Sequence, residues 1–205
     1  MVLLVALLAA GCGGNDGDDG AAPAGDGPTT AEEAPGSAAA PSTTTTTEPE
    51  GIVAVPLDED LLARLPQLEG GGREVDRDEA FDERFCDGTK APAVPKGQAR
   101  ASYPISPTDE LTIAAYRFAT GDGASYLADY APAVRSCALD AGESVGLGVP
   151  ELFGSAFELV TDEGDAFMAL ALNGDVLWVL FQQSTAGPVE VDQSTYEGFI
   201  QTVLA

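Results

Sequence analysis

Histidine is absent from this 205-residue chain, and basic side chains are scarce: 9 Lys and Arg stand against 34 Asp and Glu, for a formal net charge of -25. Without imidazole there is no Ser-His or Cys-His nucleophile pair, and the commonest ligand of zinc and copper is missing. The shortage of cations argues against nucleic acid as a partner, because affinity for a phosphate backbone rests on Lys and Arg displacing counterions. A single tryptophan furnishes a sugar-stacking platform poorly. The chain also lacks an apolar run of the roughly 20 residues that a membrane-spanning helix needs.

What charge there is divides the chain. Residues 1–50 carry eight acids and no Lys or Arg, residues 51–135 carry fifteen acids and all nine basic residues, and residues 136–205 carry eleven acids alone. Seventy residues with one sign of charge read as a solvated acidic face, or as a surface for a cation or a basic partner.

Met1 to Ala10 (M-V-L-L-V-A-L-L-A-A) has the length and apolarity of a signal-peptide core. Ala9-Ala10-Gly11-Cys12 follows and resembles a bacterial lipobox, in which the cysteine receives a diacylglycerol. Ala9 stands where the motif usually has Leu, and no basic stretch precedes the apolar core, so the natural start is expected upstream. Residues 13–50 are Gly, Ala, Asp, Pro, Ser and Thr with almost no large apolar side chain. Such a segment cannot bury enough surface to offset its ordering entropy and is expected to be a disordered linker. Its Thr/Pro-rich end, Pro41 to Pro49, reads as plain linker or as an O-glycosylated stalk.

Periodic apolar residues begin near Ile52, and residues 51–205 are expected to form one domain. Asp58 to Leu68 and Asp76 to Phe85 read as short helices. Gln98–Ile105 and Leu111–Phe118 form a predicted hairpin, and Asp122–Leu139 a helix that Pro132 should bend or divide. Ala156–Val160, Ala166–Leu172 and Val176–Gln182 read as strands, the last two joined at Asn173-Gly174 in a type I′ turn. Asp192–Ala205 closes the chain as a helix capped by Asp192 or Ser194, with Phe199, Ile200, Val203 and Leu204 inward. The order α-α-β-β-α-β-β-β-α predicts an α+β fold, an antiparallel sheet of about five strands with helices packed on it.

With Cys12 assigned to lipid, Cys86 and Cys137 remain as an even pair in an exported, oxidising setting, and a disulfide is expected. Closing a loop of about 50 residues stabilises by roughly 4 kcal/mol in the chain-entropy model. Two buried free thiols are the alternative.

The strand L-T-I-A-A-Y-R-F, the helix G-A-S-Y-L-A-D-Y-A-P-A-V-R-S-C ending in Cys137, the segment A-F-E-L-V, the hairpin A-L-A-L-N-G-D-V-L-W-V-L-F and a final helix resemble actinobacterial sensor-domain lipoproteins. These are related to the extracellular sensor domain of PknH-type mycobacterial receptor kinases. The resemblance covers about residues 80–205. It implies a cleft-bearing domain outside the membrane with an unidentified ligand and no known catalysis.

Gly142-Glu143-Ser144-Val145-Gly146 matches the G-x-S-x-G nucleophile elbow, but that motif needs a strand before it, a helix after it and a histidine base. Gly146-Leu147-Gly148 reads as a turn. The acidic groups Asp58-Glu59-Asp60, Asp76-x-Asp78-Glu79 and Asp162-Glu163-x-Asp165 could offer oxygens to Ca²⁺, yet helix starts and a hairpin turn account for them. Asn15 to Gly20 departs from the EF-hand pattern at Gly17. Lys90 and Lys96 lie in a Pro/Gly-rich loop that does not suggest burial, so neither is a lowered-pKa base. Trp178 and Phe181 read as core.

No catalytic residue, metal or cofactor is therefore expected. The leading expectation is a lipoprotein on the outer face of the cytoplasmic membrane, whose domain binds a small molecule, lipid or envelope protein in a sensor-like role. An accessory protein-binding subunit of an envelope complex comes second, and a carboxylate-based envelope hydrolase last. An apolar cleft would favour the first, and a flat apolar patch with an acidic rim the second. Cys12→Ala should release the protein from membranes or leave its precursor uncleaved. Mature-size protein retained on the membrane in that variant, followed by cell fractionation, would refute the anchor.

Overall fold

The computed structural model describes residues 51–68 and 72–205. Cys12 and the linker over 13–50 lie outside the described residues. The elements, in chain order, are β1 (Ile52–Ala54), α1 (Glu59–Arg64), β2 (Glu74–Asp76), β3 (Ala80–Asp82), β4 (Gly97–Pro104), β5 (Asp109–Arg117), α2 (Asp122–Cys137), β6 (Asp140–Ala141), β7 (Phe153–Thr161), β8 (Gly164–Asn173), β9 (Val176–Ser184) and α3 (Gln193–Leu204). The fold is α+β, as the sequence predicts. Its sheet has seven strands rather than five, in the order β2-β4-β5-β9-β8-β7-β6, and β1 pairs with β3 in a separate two-stranded ribbon. All pairings in both sheets are antiparallel.

Side chains alternate between the faces of a sheet, and here each face has its own core. One face carries Ala114, Tyr116, Met168, Leu170, Leu177, Val179 and Phe181, packed against Tyr126, Leu127, Tyr130 and Val134 of α2 and against Val55, Phe81 and Phe85. The other carries Ala99, Ala101, Ile113, Ala169, Trp178 and Leu180 beneath Leu61 and Leu62 of α1 and Phe199, Ile200 and Val203 of α3. Trp178 is fully buried and Phe181 nearly so, so both are core residues. The guanidinium of Arg64 lies 4.8 Å from the Trp178 ring centroid and also donates to the carbonyl of Thr202 at 3.3 Å, joining α1 to α3 across the ring.

Asp58 shows how one acid serves two ends. Its Oδ1 caps α1 by accepting from the Leu61 amide at 3.0 Å, and its Oδ2 receives Arg117 Nε at 2.6 Å. The hydrogen bond from Arg117 holds the Asp58 carboxyl below the usual range, against an opposing push from burial. Asp192 caps α3 through the Thr195 amide at 3.1 Å, which selects it over Ser194. Leu204, expected inward, is exposed at the last turn.

Three further expectations are corrected. Asp76 to Phe85 is not a helix but a turn followed by β3. Asp76 Oδ1 accepts from the Asp78 amide, Asp78 Oδ1 from the Ala80 amide and Asp82 Oδ1 from the Arg84 amide, at 2.8, 2.9 and 2.8 Å. These local bonds draw the backbone away from helical pairing. Of the two effects expected of Pro132, bending or dividing the helix, division is absent: α2 is continuous from Asp122 to Cys137 with Pro132 inside it. The β8–β9 turn is centred on Gly174-Asp175, because Asn173 pairs with Val176. Gly174 has φ +58° and no non-glycine residue among the described residues has positive φ, the pattern of a type II′ turn rather than I′.

Cys86 and Cys137 are disulfide-bonded, with Cα atoms 6.2 Å apart and a sequence separation of 51. The bond ties the segment after β3 to the C-terminal end of α2. Replacing both with Ser should lower the unfolding free energy by about 3–4 kcal/mol, read from urea denaturation. In the unreduced protein under denaturant these two positions should contribute no titratable thiol.

Candidate functional site

The face of the sheet that holds α2 changes character along its length. Beneath α2 it is aromatic: the Phe118 and Tyr126 rings are 4.8 Å apart, and the Phe85–Tyr126 and Tyr126–Tyr130 centroids are each 5.4 Å apart. Burial pushes the phenols of Tyr116, Tyr126 and Tyr130 up from their ordinary range. They stay neutral at physiological pH and are not general bases.

Two strand positions further on, the same face is polar. Register places Glu74 opposite Ser102, Ser102 opposite Thr112, and Glu110 opposite Gln183. Ser102 and Thr112 hydroxyls lie 3.4 Å apart. Arg100, 8% exposed at its side chain, is paired with Asp76 one step nearer the aromatic end. This pair closes off the only basic side chain on that stretch of β4.

The polar end opens into a groove of about 370 Å³ lined by Glu74, Ser102, Ser106, Thr108, Asp109, Glu110, Glu163, Gln183 and Thr185, with Pro104 and Pro107. One wall is the β4–β5 loop, held to the segment after β9 by the Thr185 amide donating to the Thr108 carbonyl at 3.0 Å. Within that loop Asp109 is engaged by the hydroxyls of Ser106 and Thr108. Hydrogen bonds from Ser106 and then Ser184 keep its carboxyl below the usual range. The opposite wall is the β7–β8 turn bearing Glu163.

Gln183 forms the floor. The residue is 6% exposed, and its Nε2 has no hydrogen-bond partner among the described residues. Burying an amide without a partner costs about 1–3 kcal/mol. Gln182 Oε1, on the other face, is likewise unpartnered among the described residues. Sequence reasoning passed over Gln183, although a signal was present: V-L-W-V-L-F-Q-Q-S ends an otherwise apolar, wholly buried strand on three polar residues.

Two other recesses are present. A cleft of about 290 Å³ lies at the β6–β7 edge among Asp140, Glu158 and Asp165. A shallow groove of about 490 Å³ runs beside the disulfide between Asp87, Lys90, Asp129 and Ser136. Near the β6–β7 edge, Leu139, Val145 and Phe153 are 68%, 58% and 65% exposed.

The residues singled out from sequence do not converge. Ser144 is exposed in the connection between β6 and β7, followed by a lone bridge of Val145 to Ala156 and not by a helix, so the nucleophile-elbow context is missing. Asp58 and Asp76 are engaged by Arg117 and Arg100. Asp162 and Glu163 form the β7–β8 turn, with Thr161 paired to Gly164. Among the described residues no three Asp, Glu or Cys side chains gather to hold a metal ion, and no helix is long and apolar enough to cross a membrane. Lys90 is exposed and paired with Glu83 at 3.1 Å. Comparison with protein-family models, curated proteins and solved structures finds no match.

If the Gln183 amide is unsatisfied in the free protein, Gln183→Leu should raise stability by about 1 kcal/mol. A higher urea midpoint at unchanged slope would show it, and a lower midpoint would place a bonding partner on the amide.

Proposed function

We propose that the protein is a lipoprotein of the cell envelope, anchored through Cys12 to the outer face of the cytoplasmic membrane. Its domain over 51–205 binds a ligand in a sensor-like role and is not an enzyme. The observation that carries this reading is Gln183: a buried amide without a partner, on the floor of a groove with hydroxyl and carboxylate walls. The groove is polar and is not the apolar cleft expected for this reading, so a small polar ligand fits it better than a lipid.

The inventory of reactive groups supports a non-catalytic role. Histidine is absent, Cys86 and Cys137 are bonded to each other, and Ser144 stands exposed on a loop. Carboxylate-only hydrolysis stays the third reading.

The accessory-subunit reading has its own support. Leu139, Val145 and Phe153 stand exposed along the β6–β7 edge, Leu139 at the end of β7 near the cleft lined by Asp140 and Glu158 and Phe153 at the opposite end. Exposed apolar groups with an acidic border suit a basic protein partner.

Native mass spectrometry of the full chain, purified from its own host, separates the two readings. Ligand binding predicts a small adduct on the wild type that Gln183→Leu loses while remaining folded. A stoichiometric protein partner lost on Phe153→Asp, with no small adduct, would replace this reading with the second.

A further inference from the structure

We infer that Asn173, in the β8–β9 turn, is a site of spontaneous deamidation, and that the reaction makes a reversible loosening of the end of α3 permanent.

The turn holds both helical layers to the end of the sheet. Asp175 serves the α2 side: its carboxylate accepts from the Thr120 hydroxyl at 3.1 Å and the Gly121 amide at 3.2 Å, and its carbonyl from the Phe118 amide at 2.8 Å. Asn173 serves α3, where its Nδ2 donates to the Val203 carbonyl at 2.7 Å. α3 ends at Leu204, so the Val203 carbonyl is among the acceptors that a helix leaves open at its C-terminal end. The negative pole of the helix dipole lies there as well. It favours a neutral donor and disfavours a carboxylate.

The same amide is open to attack from its own backbone. Asn173 and Gly174 are both exposed, and the position a Cβ on Gly174 would take has no atom within 4 Å. The Gly174 nitrogen gives up its proton and bonds to Asn173 Cγ. The Cγ–Nδ2 bond breaks, ammonia leaves and a cyclic imide closes. Water then opens the imide at one carbonyl or the other, giving aspartate or isoaspartate, with no oxidation or reduction. While Nδ2 is bonded to Val203 the side chain is held toward α3, and attack requires it to swing back over Gly174. Helix ends open locally at little cost, and each lifting of the last turn of α3 frees the amide.

The product cannot restore the latch. A carboxylate has no proton to donate, and here it faces a carbonyl at the negative end of α3. In the isoaspartyl form the backbone also gains a carbon at the Asn173–Val176 pair that closes the β8–β9 ladder. Phe199 is fully buried and Ile200 nearly so, which keeps the rest of α3 seated while its last turn stays loose.

The full chain in detergent micelles is aged at mildly alkaline pH beside a synthetic peptide of residues 168–179, and both are mapped by peptide mass spectrometry with isoaspartate detection. Asn173 should convert in both, more slowly in the folded chain. Val203→Ala, which thins the contact seating the last turn, should raise the folded-state rate by roughly fivefold. Hydrogen exchange of the aged protein should quicken over residues 200–205 and stay unchanged over β4 and β5. Freshly made Asn173→Ala lacks the donor and should show part of that quickening. Asn173→Asp should exceed it, by a margin that shrinks as salt rises. A folded chain that stays unconverted while the peptide turns over would overturn the site. A conversion rate that Val203→Ala leaves unchanged would overturn the gating by α3. Wild-type exchange over residues 200–205 in Asn173→Asp would overturn the latch.

Discussion

The burial of β9 on both faces is the constraint on which the rest of this structure depends. All nine of its residues are buried, and its ladders to β5 and β8 run its full length. A strand so placed has to be covered above and below, which is what α2 does on one side and α1 with α3 on the other. The pairing is also costly to reach. β5 ends at Arg117 and β9 begins at Val176, so α2 and the strands β6, β7 and β8 intervene before the two meet. Contacts that close long loops are slow to form, and the Cys86–Cys137 bond is made within that crossover, at the end of α2, fixing α2 relative to the segment before β4.

The long elements were legible because their periodicity is strong. The hairpin of β4 and β5, helix α2, strands β7 to β9 and helix α3 all follow from apolar spacing, turn residues and caps. The short ones were not. β2 and β6 have three and two residues, too few for an alternating pattern, and they exist because the neighbouring long strands offer free edges. Asp76 to Phe85 misled because Phe81 and Phe85 are four apart, a helical spacing. Both are indeed buried together, but through a short strand and a turn that aspartate side chains stabilise.

The groove was less legible than the fold. Its carboxylates come from β2, from β5 and from the β7–β8 turn, and only the sheet order brings these together. Thirty-four acids in one sequence give no means of choosing three. Gln183 could have been chosen, since a glutamine pair at the end of an apolar strand breaks the logic of that strand. The departure from local consistency coincides with a place where the sheet face is both polar and open.

The order of elements has a mechanical consequence. The described part of the chain begins in a ribbon, β1 with β3, of three residues each. Tension applied at the N-terminal side of the domain would shear that ribbon first, then draw out α1 and β2, and arrive at Cys86. There the load passes through sulfur to Cys137 and the far end of α2, bypassing β4 and β5. Six of the seven strands of the main sheet lie beyond that point, so the fold has a covalent backstop that confines peeling to its first segment and leaves the central strands and most of the groove in register.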